Sequence, residues 1–165
     1  MLCIPPDFEI PASDLRFIQL FFLNYACTKI LAMIKLSEIK TGDIVNVRFE
    51  DVVNTGEVLD IDREERKVLV AHGDQEFWYS NDDLSAVPLT PNMLETLGFT
   101  LSSDPAFNTD GTAYIRGPFI VRYLKKDNMV LLTYRDEFRE VKNDLSVHQF
   151  QNHYQAMTNM HLGLS

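Results

Sequence analysis

Histidines near the C-terminus are the side chains of this sequence best suited to chemistry, because imidazole binds metals and transfers protons near neutral pH. The segment "SVHQFQNHYQAMT" (146–158) has the pattern of a helix and contains His148 and His153. On a helix these two point about 140° away from each other, and His161 follows His153 after a rise of about 12 Å. They cannot share a metal ion, and the sequence has no Cys-x-x-Cys pair to replace them. We therefore predict no metal site.

Catalytic and cofactor motifs are also missing. The sequence has no G-x-S-x-G and no G-x-G-x-x-G, and its two cysteines, Cys3 and Cys27, both precede residue 30. Carboxylates such as those of "NDD" (81–83) and "RDE" (135–137) become catalysts only in a cleft that shifts their pKa values, and their setting is typical of solvated turns. We predict no catalytic residue and no cofactor.

The stretch "FWYSNDDL" (77–84) places three aromatic side chains beside two acids. On a strand, Phe77 and Tyr79 share one face and Trp78 points to the other. An exposed aromatic next to carboxylates can bind a peptide, or a cationic side chain by cation–π contact. The alternative is that a neighbouring module covers Trp78. We retain Trp78 as a candidate partner-binding residue.

The charge of the chain is concentrated in its middle. Residues 35–90 carry thirteen acidic and six basic side chains, which accounts for most of the net charge of -9. Because a phosphate backbone is bound by clustered Lys and Arg, we expect no direct nucleic-acid binding. The low cysteine count is consistent with a reducing compartment, and we expect a cytoplasmic protein.

The first 34 residues form a hydrophobic N-terminal extension that is predicted to be helical. Its apolar run, "LRFIQLFFLNYACTKILAMI" (15–34), contains Arg16, Asn24 and Lys29, and acids precede it, so we predict neither a membrane span nor a signal peptide. Met33 opens a new module. The extension is either a docking helix or an upstream segment from a misjudged start, with translation beginning at Met33, and the two interpretations are equally good.

Two modules are predicted to follow, which together give an α+β fold. Residues 35–88 contain four short strands, "DIVNVRFE", "GEVLDID", "RKVLVA" and "QEFWYS", at the spacing of a small SH3-like β-barrel, with an open meander as the competing topology. In residues 89–160, Thr90 and Pro91 begin a two-turn helix that Gly98 ends. Four further strands, "TAYIR", "PFIVRYLKK", "MVLLTYR" and "EFREVK", form an antiparallel meander with a "KDN" turn, and residues 161–165 are a tail.

The closing helix carries an apolar stripe. Val147, Phe150, Tyr154 and Met157 lie within about 80° of one another, and Ser146 is placed to cap the helix. Gln151 and His153 flank the stripe, whereas His148, Gln149 and Asn152 fall on the side that the sheet does not need. These last three either cap neighbouring loops or contact a partner, and we include them with Trp78 as candidate partner-binding residues.

Three segments give the chain a family resemblance over residues 33–160: "MIKLSEIKTGDIV", "VPLTPNMLETLGF" and "SVHQFQNHYQAMT". It resembles a family of short uncharacterised proteins from gut-bacterial genomes, prophages and mobile elements, which close with a V-H-Q-x-Q-N-type helix. Phe150 and His153 depart from that pattern. The resemblance implies no activity or ligand, but it favours Met33 as the start.

Together these observations favour a non-enzymatic protein-binding or accessory protein of a phage or mobile element. The first alternative is an acidic DNA mimic or inhibitor of a host nucleic-acid enzyme. The second is a small enzyme of unrecognised class.

Overall fold

The computed structural model describes residues 33–50, 52–109, 111–124 and 129–164. These residues belong to one compact unit. The predicted helical extension lies outside the described residues except for Met33 and Ile34, and so does the predicted "KDN" turn. Within the described ranges, no helix is long and apolar enough to cross a membrane.

The first half of this unit is an open five-stranded antiparallel sheet in the order β4-β3-β2-β1-β5. Its strands are β1 (Ile44–Phe49), β2 (Val52–Asp62), β3 (Lys67–His72), β4 (Gln75–Ser80) and β5 (Leu84–Ala86). The four predicted strands are confirmed, and β5 is an addition. One 3-10 turn, Leu36–Glu38, precedes β1, and another, Asn81–Asp83, joins β4 to β5. Among the described residues, its outer strands β4 and β5 do not pair with each other, so the sheet is not a closed barrel; a single bridge joins Met33 to Ser85 of β5.

One face of this sheet holds the first core. The core consists mainly of β-branched side chains that alternate along the strands and are completely buried, namely Val45, Val47, Val58, Val68 and Val70. Ile34 and Ile39, which precede β1, pack into the same core. β2 is long and contains an irregularity between Val58 and Asp60, where a bulge bends the strand.

The second half is another five-stranded antiparallel sheet, in the order β10-β9-β8-β7-β6, with two helices. The elements are α1 (Pro91–Thr96), β6 (Thr100–Leu101), β7 (Gly111–Arg116), β8 (Phe119–Leu124), β9 (Met129–Tyr134), β10 (Glu137–Lys142) and α2 (Val147–Thr158). The predicted helices and meander are confirmed, and with them the α+β class. The Thr90 hydroxyl accepts the N–H of Met93, so Thr90 caps α1 as predicted.

Helix α2 lays its predicted stripe on the second core. Val147, Phe150, Tyr154 and Met157 are all buried, at 0 to 8% exposure. Phe150 and Tyr154 contact the ring of Phe119, and the Tyr154 and Phe119 ring centroids are 4.8 Å apart. Burying such side chains contributes about 1.5 to 3 kcal/mol each before entropy is counted. This seam fixes α2 on the second sheet.

Candidate functional site

The four predicted site residues do not form one site. Trp78 lies in β4 of the first sheet, whereas His148, Gln149 and Asn152 lie on α2. They line different cavities, and Trp78 shares none of them with the three α2 residues.

His148 is not on the exposed side of α2, as the helical arithmetic predicted; its side chain is only 2% exposed. The reason is that the segment before β1 (residues 33–43) covers a second side of α2. A projection of the helix alone does not include this segment. The Nδ1 atom of His148 lies 3.1 Å from the Ser146 hydroxyl. Burial lowers the pKa of His148, and the nearby Glu38 carboxylate acts in the opposite direction. The ring is therefore held neutral inside the fold.

Gln151 and Asn152 satisfy backbone groups of the segment that covers α2. The Gln151 Oε1 atom accepts the N–H of Ile44 at 2.8 Å, and its Nε2 donates to the carbonyls of Gly42 and Leu162 at 3.0 and 2.7 Å. Asn152 Nδ2 donates to the Glu38 carbonyl at 3.2 Å. The Asn152 amide thus caps a neighbouring loop, which is one of the two alternatives left open for this residue.

Gln149 is exposed but also has a structural task. Its Oε1 atom accepts the backbone N–H of Ser146 at 3.2 Å, and the Ser146 side chain accepts the N–H of Gln149 in return. This reciprocal pair is a capping box, and the S-x-x-Q pattern for it was readable in the sequence. The polar side of α2 is therefore largely occupied by contacts within the fold.

The surroundings of Trp78 are different, because they form an open groove of about 440 Å³. The groove lies between β4 and the hairpin that joins β1 to β2. Its walls are formed by Arg48, Phe49, Glu50 and Asn54 on one side, and by His72, Gln75, Phe77, Trp78, Tyr79, Ser80 and Asp83 on the other.

The groove exposes aromatic side chains that belong to the core face of the sheet. Phe49 lies two residues beyond the buried Val47, and Phe77 is paired with the buried Val70, so both point to the core side. Nevertheless Phe49 is 62% exposed and Phe77 is 49% exposed. Among the described residues, the first core is thus left uncovered at this end of the sheet.

A hydrogen-bonded aromatic pair forms the wall behind Phe77. The Nε2 atom of His72 lies 2.8 Å from the Tyr79 hydroxyl, and the His72 ring stacks on Phe77 with centroids 5.8 Å apart. Burial raises the pKa of Tyr79, so its hydroxyl stays protonated over the physiological range. These contacts fix the positions of His72, Phe77 and Tyr79 in the protein without a ligand.

The rim of the groove combines an aromatic ring with charge. Trp78, 49% exposed, points to the opposite face from Phe77, and the acidic residues Glu50 and Asp83 line the groove together with the basic Arg48. A tryptophan face attracts a cation with about 0.5 to 2 kcal/mol, depending on how far the cation is desolvated. The two acids favour the same ligand charge, and Arg48 opposes it in part.

Sequence reasoning identified Trp78 but missed Phe49, Glu50 and His72. Alternation along "DIVNVRFE" places Phe49 on the face of Val45 and Val47 but does not show that this end of the core stays open. Among the described residues, no three His, Cys, Asp or Glu side chains gather closely enough to hold a metal ion. The arrangement is suited to binding.

Comparisons of the chain with protein-family models, with curated proteins and with solved structures return no match. The functional proposal therefore rests on the groove.

Proposed function

We propose that the protein is a non-enzymatic protein-binding or accessory protein, and that a cationic side chain of its partner binds at Trp78, on the rim of the groove. The observation that carries this proposal is the exposure of Phe49 and Phe77, two core-face aromatics, beside Trp78 and the carboxylates of Glu50 and Asp83. Apolar surface of this kind, rimmed by polar groups, is typical of interaction sites. Aromatic anchors also dominate the binding energy of protein interfaces.

We also propose that the first sheet works as an SH3-like module that is not fully closed. The bulge in β2 supports this proposal, because it lets the sheet curl. So does the groove, which is lined by residues of both β1 and β4 although two strands separate them in the sheet. A curled sheet with one gap offers a partner both apolar side chains and backbone groups.

The distribution of acids favours a binding protein over a DNA mimic. Glu50 and Asp74 lie in or beside turns at one end of the first sheet, and Glu64 and Glu65 lie in the turn at the other end. A DNA mimic needs its acids in a row at phosphate-like spacing. Assignment to a phage or mobile element rests on the family resemblance, and a cytoplasmic location on the low cysteine count.

Affinity purification with the Trp78→Ala variant tests the proposed function. We expect this variant to lose the partners that the wild-type protein captures from its native host, with binding weakened at least tenfold. Its far-UV circular dichroism and unfolding midpoint should stay close to wild type, because the side chain is half-exposed. Phe138→Ala is a matched control, since Phe138 is a 68% exposed aromatic on an edge strand of the other sheet. If Trp78→Ala and Phe138→Ala both capture everything that the wild type does, the proposal is wrong.

A further inference from the structure

Two stretches of strand edge that are unpaired among the described residues belong to strands that line the groove. Within the described part of the chain, β4 is an outer strand of its sheet and pairs only with β3. On the other side, β5 pairs with β1 only over Val45–Val47, so Arg48 and Phe49 continue past the end of β5. The groove is lined by these two β1 residues and by β4. It therefore marks the place where a further strand would fit.

The turn between β3 and β4 defines which backbone groups of β4 face outward. His72 and Gln75 are paired across a two-residue turn that begins at Gly73, whose φ is 59°. In such a hairpin the residues that flank the turn exchange hydrogen bonds, and every second residue after them does the same. Gln75, Phe77 and Tyr79 thus bond to β3.

The same alternation continues past the end of the strand. The N–H of Asn81 donates to the carbonyl of Arg66 at 3.1 Å, on the β3 side. The even-numbered residues Glu76 and Trp78 consequently direct their N–H and C=O groups away from β3, toward the free edge. Ser80 directs its N–H the same way, whereas its C=O begins the 3-10 turn Asn81–Asp83.

β4 also lacks the features that usually protect an edge strand. Its sequence, "QEFWYS", contains no proline and no lysine. By contrast β10, the outer strand of the second sheet, reads "EFREVK" and carries four charged side chains. Charges and prolines on an edge prevent pairing with other chains. The open edge of β4 is therefore the better template for an added strand.

We propose that the partner supplies an extended basic segment, which adds to β4 as a further strand. This inference rests on the proposed function and specifies its ligand. Six residues of β4 span about 20 Å, so a segment of similar length would match them. Alternate side chains of this segment would contact the apolar floor at Phe49 and Phe77. The side chains between them would point to the opposite face, where a cation would contact Trp78 and Glu76. The excess of acids in residues 35–90 favours lysine or arginine at those positions.

A capped hexapeptide of alternating valine and lysine is a suitable probe. We expect wild-type protein to bind it at least tenfold more tightly than the same peptide with glutamate in place of lysine. In hydrogen exchange followed by NMR, the amides of Glu76, Trp78 and Ser80 should exchange fast in the free protein and at least tenfold more slowly with the lysine peptide. The amides of Phe77 and Tyr79 should already be protected without it.

Ser80→Pro tests the backbone contact directly. Ser80 has φ -67°, which proline adopts without strain, and its N–H faces the free edge, so the β3 ladder stays intact. We expect about fivefold weaker peptide binding with an unchanged unfolding free energy, since one hydrogen bond is worth about 1 kcal/mol. Ser80→Ala keeps the N–H and should bind like wild type. A lysine peptide N-methylated at every second residue probes the same contact from the ligand side and should bind more weakly.

Each alternative result overturns the strand model in a recognisable way. If Trp78→Ala abolishes peptide binding while the even-numbered amides stay unprotected and Ser80→Pro binds normally, cation binding stands and strand addition is wrong. If the glutamate peptide binds as tightly as the lysine peptide, the partner segment is not basic. The capture of host partners then tests the proposed function separately. If sedimentation shows a dimer in which the amides of Glu76, Trp78 and Ser80 are protected without peptide, the occupant of the edge is a second copy of the chain.

Discussion

Replacing Gln151 with alanine should destabilise the protein strongly, although the residue is polar and lies on a helix. Its side chain is 2% exposed, and its amide makes three buried hydrogen bonds, to Gly42, Ile44 and Leu162. Alanine would leave one N–H and two carbonyl groups buried without those partners, at about 1 to 3 kcal/mol for each group. Allowing for relaxation and for the better helix propensity of alanine, we expect a loss of roughly 3 to 5 kcal/mol.

Urea and thermal unfolding measure this loss, which corresponds to a fall in Tm of roughly 10 to 20 °C for a unit of this size. Gln155→Ala is the matched control. It is the same substitution one helical turn later, where the amide makes a single exposed contact, 3.3 Å from Lys40 Nζ. That variant should stay within about 0.5 kcal/mol of wild type. If the two variants unfold at the same free energy, Gln151 does not join α2 to the first sheet in the way described.

Two further substitutions test the same region and the first sheet. Asp43 is 2% exposed, and burial raises its pKa from 3.8 to about 6, so its ionisation costs stability as pH rises through that window. Asp43→Asn, whose amide oxygen can still accept the N–H of Lys40, should be more stable than wild type by up to about 3 kcal/mol at pH 7. That advantage should vanish below about pH 4, and a difference independent of pH would contradict the assignment. In β2, a Cβ at Gly56 would overlap the Ala71 carbonyl, so Gly56→Ala should cost more than about 2 kcal/mol in urea unfolding. Gly163→Ala meets open space and should change little; equal costs would refute the close approach.

Most of the fold could be predicted because its elements carry strong local signals. Alternating apolar residues identify the strands of both sheets, and Thr90 followed by Pro91 identifies the start of α1. The strands that escaped prediction, β5 and β6, have three and two residues. Segments that short form because a neighbouring strand pairs with them, and this pairing is a tertiary effect that leaves no periodicity to detect.

The groove could be predicted only in part for a similar reason. "FWYSNDDL" places Trp78 opposite Phe77 and beside Asp83, which the structure bears out. Whether a core-face aromatic such as Phe49 is covered depends on where β5 ends relative to β1. Since β5 pairs with β1 only as far as Val47, the exposure of Phe49 is a consequence of register and not of composition.

Helix α2 shows why a polar motif need not be a binding site. Single-helix geometry assigns one buried face, yet this helix is buried on two sides, against the second core and against the segment before β1. That segment brings backbone groups, which apolar side chains cannot satisfy, and amides such as those of Gln151 and Asn152 supply the missing partners. The amides of α2 therefore join this helix to the first sheet, and the proposed ligand site is the open edge of β4.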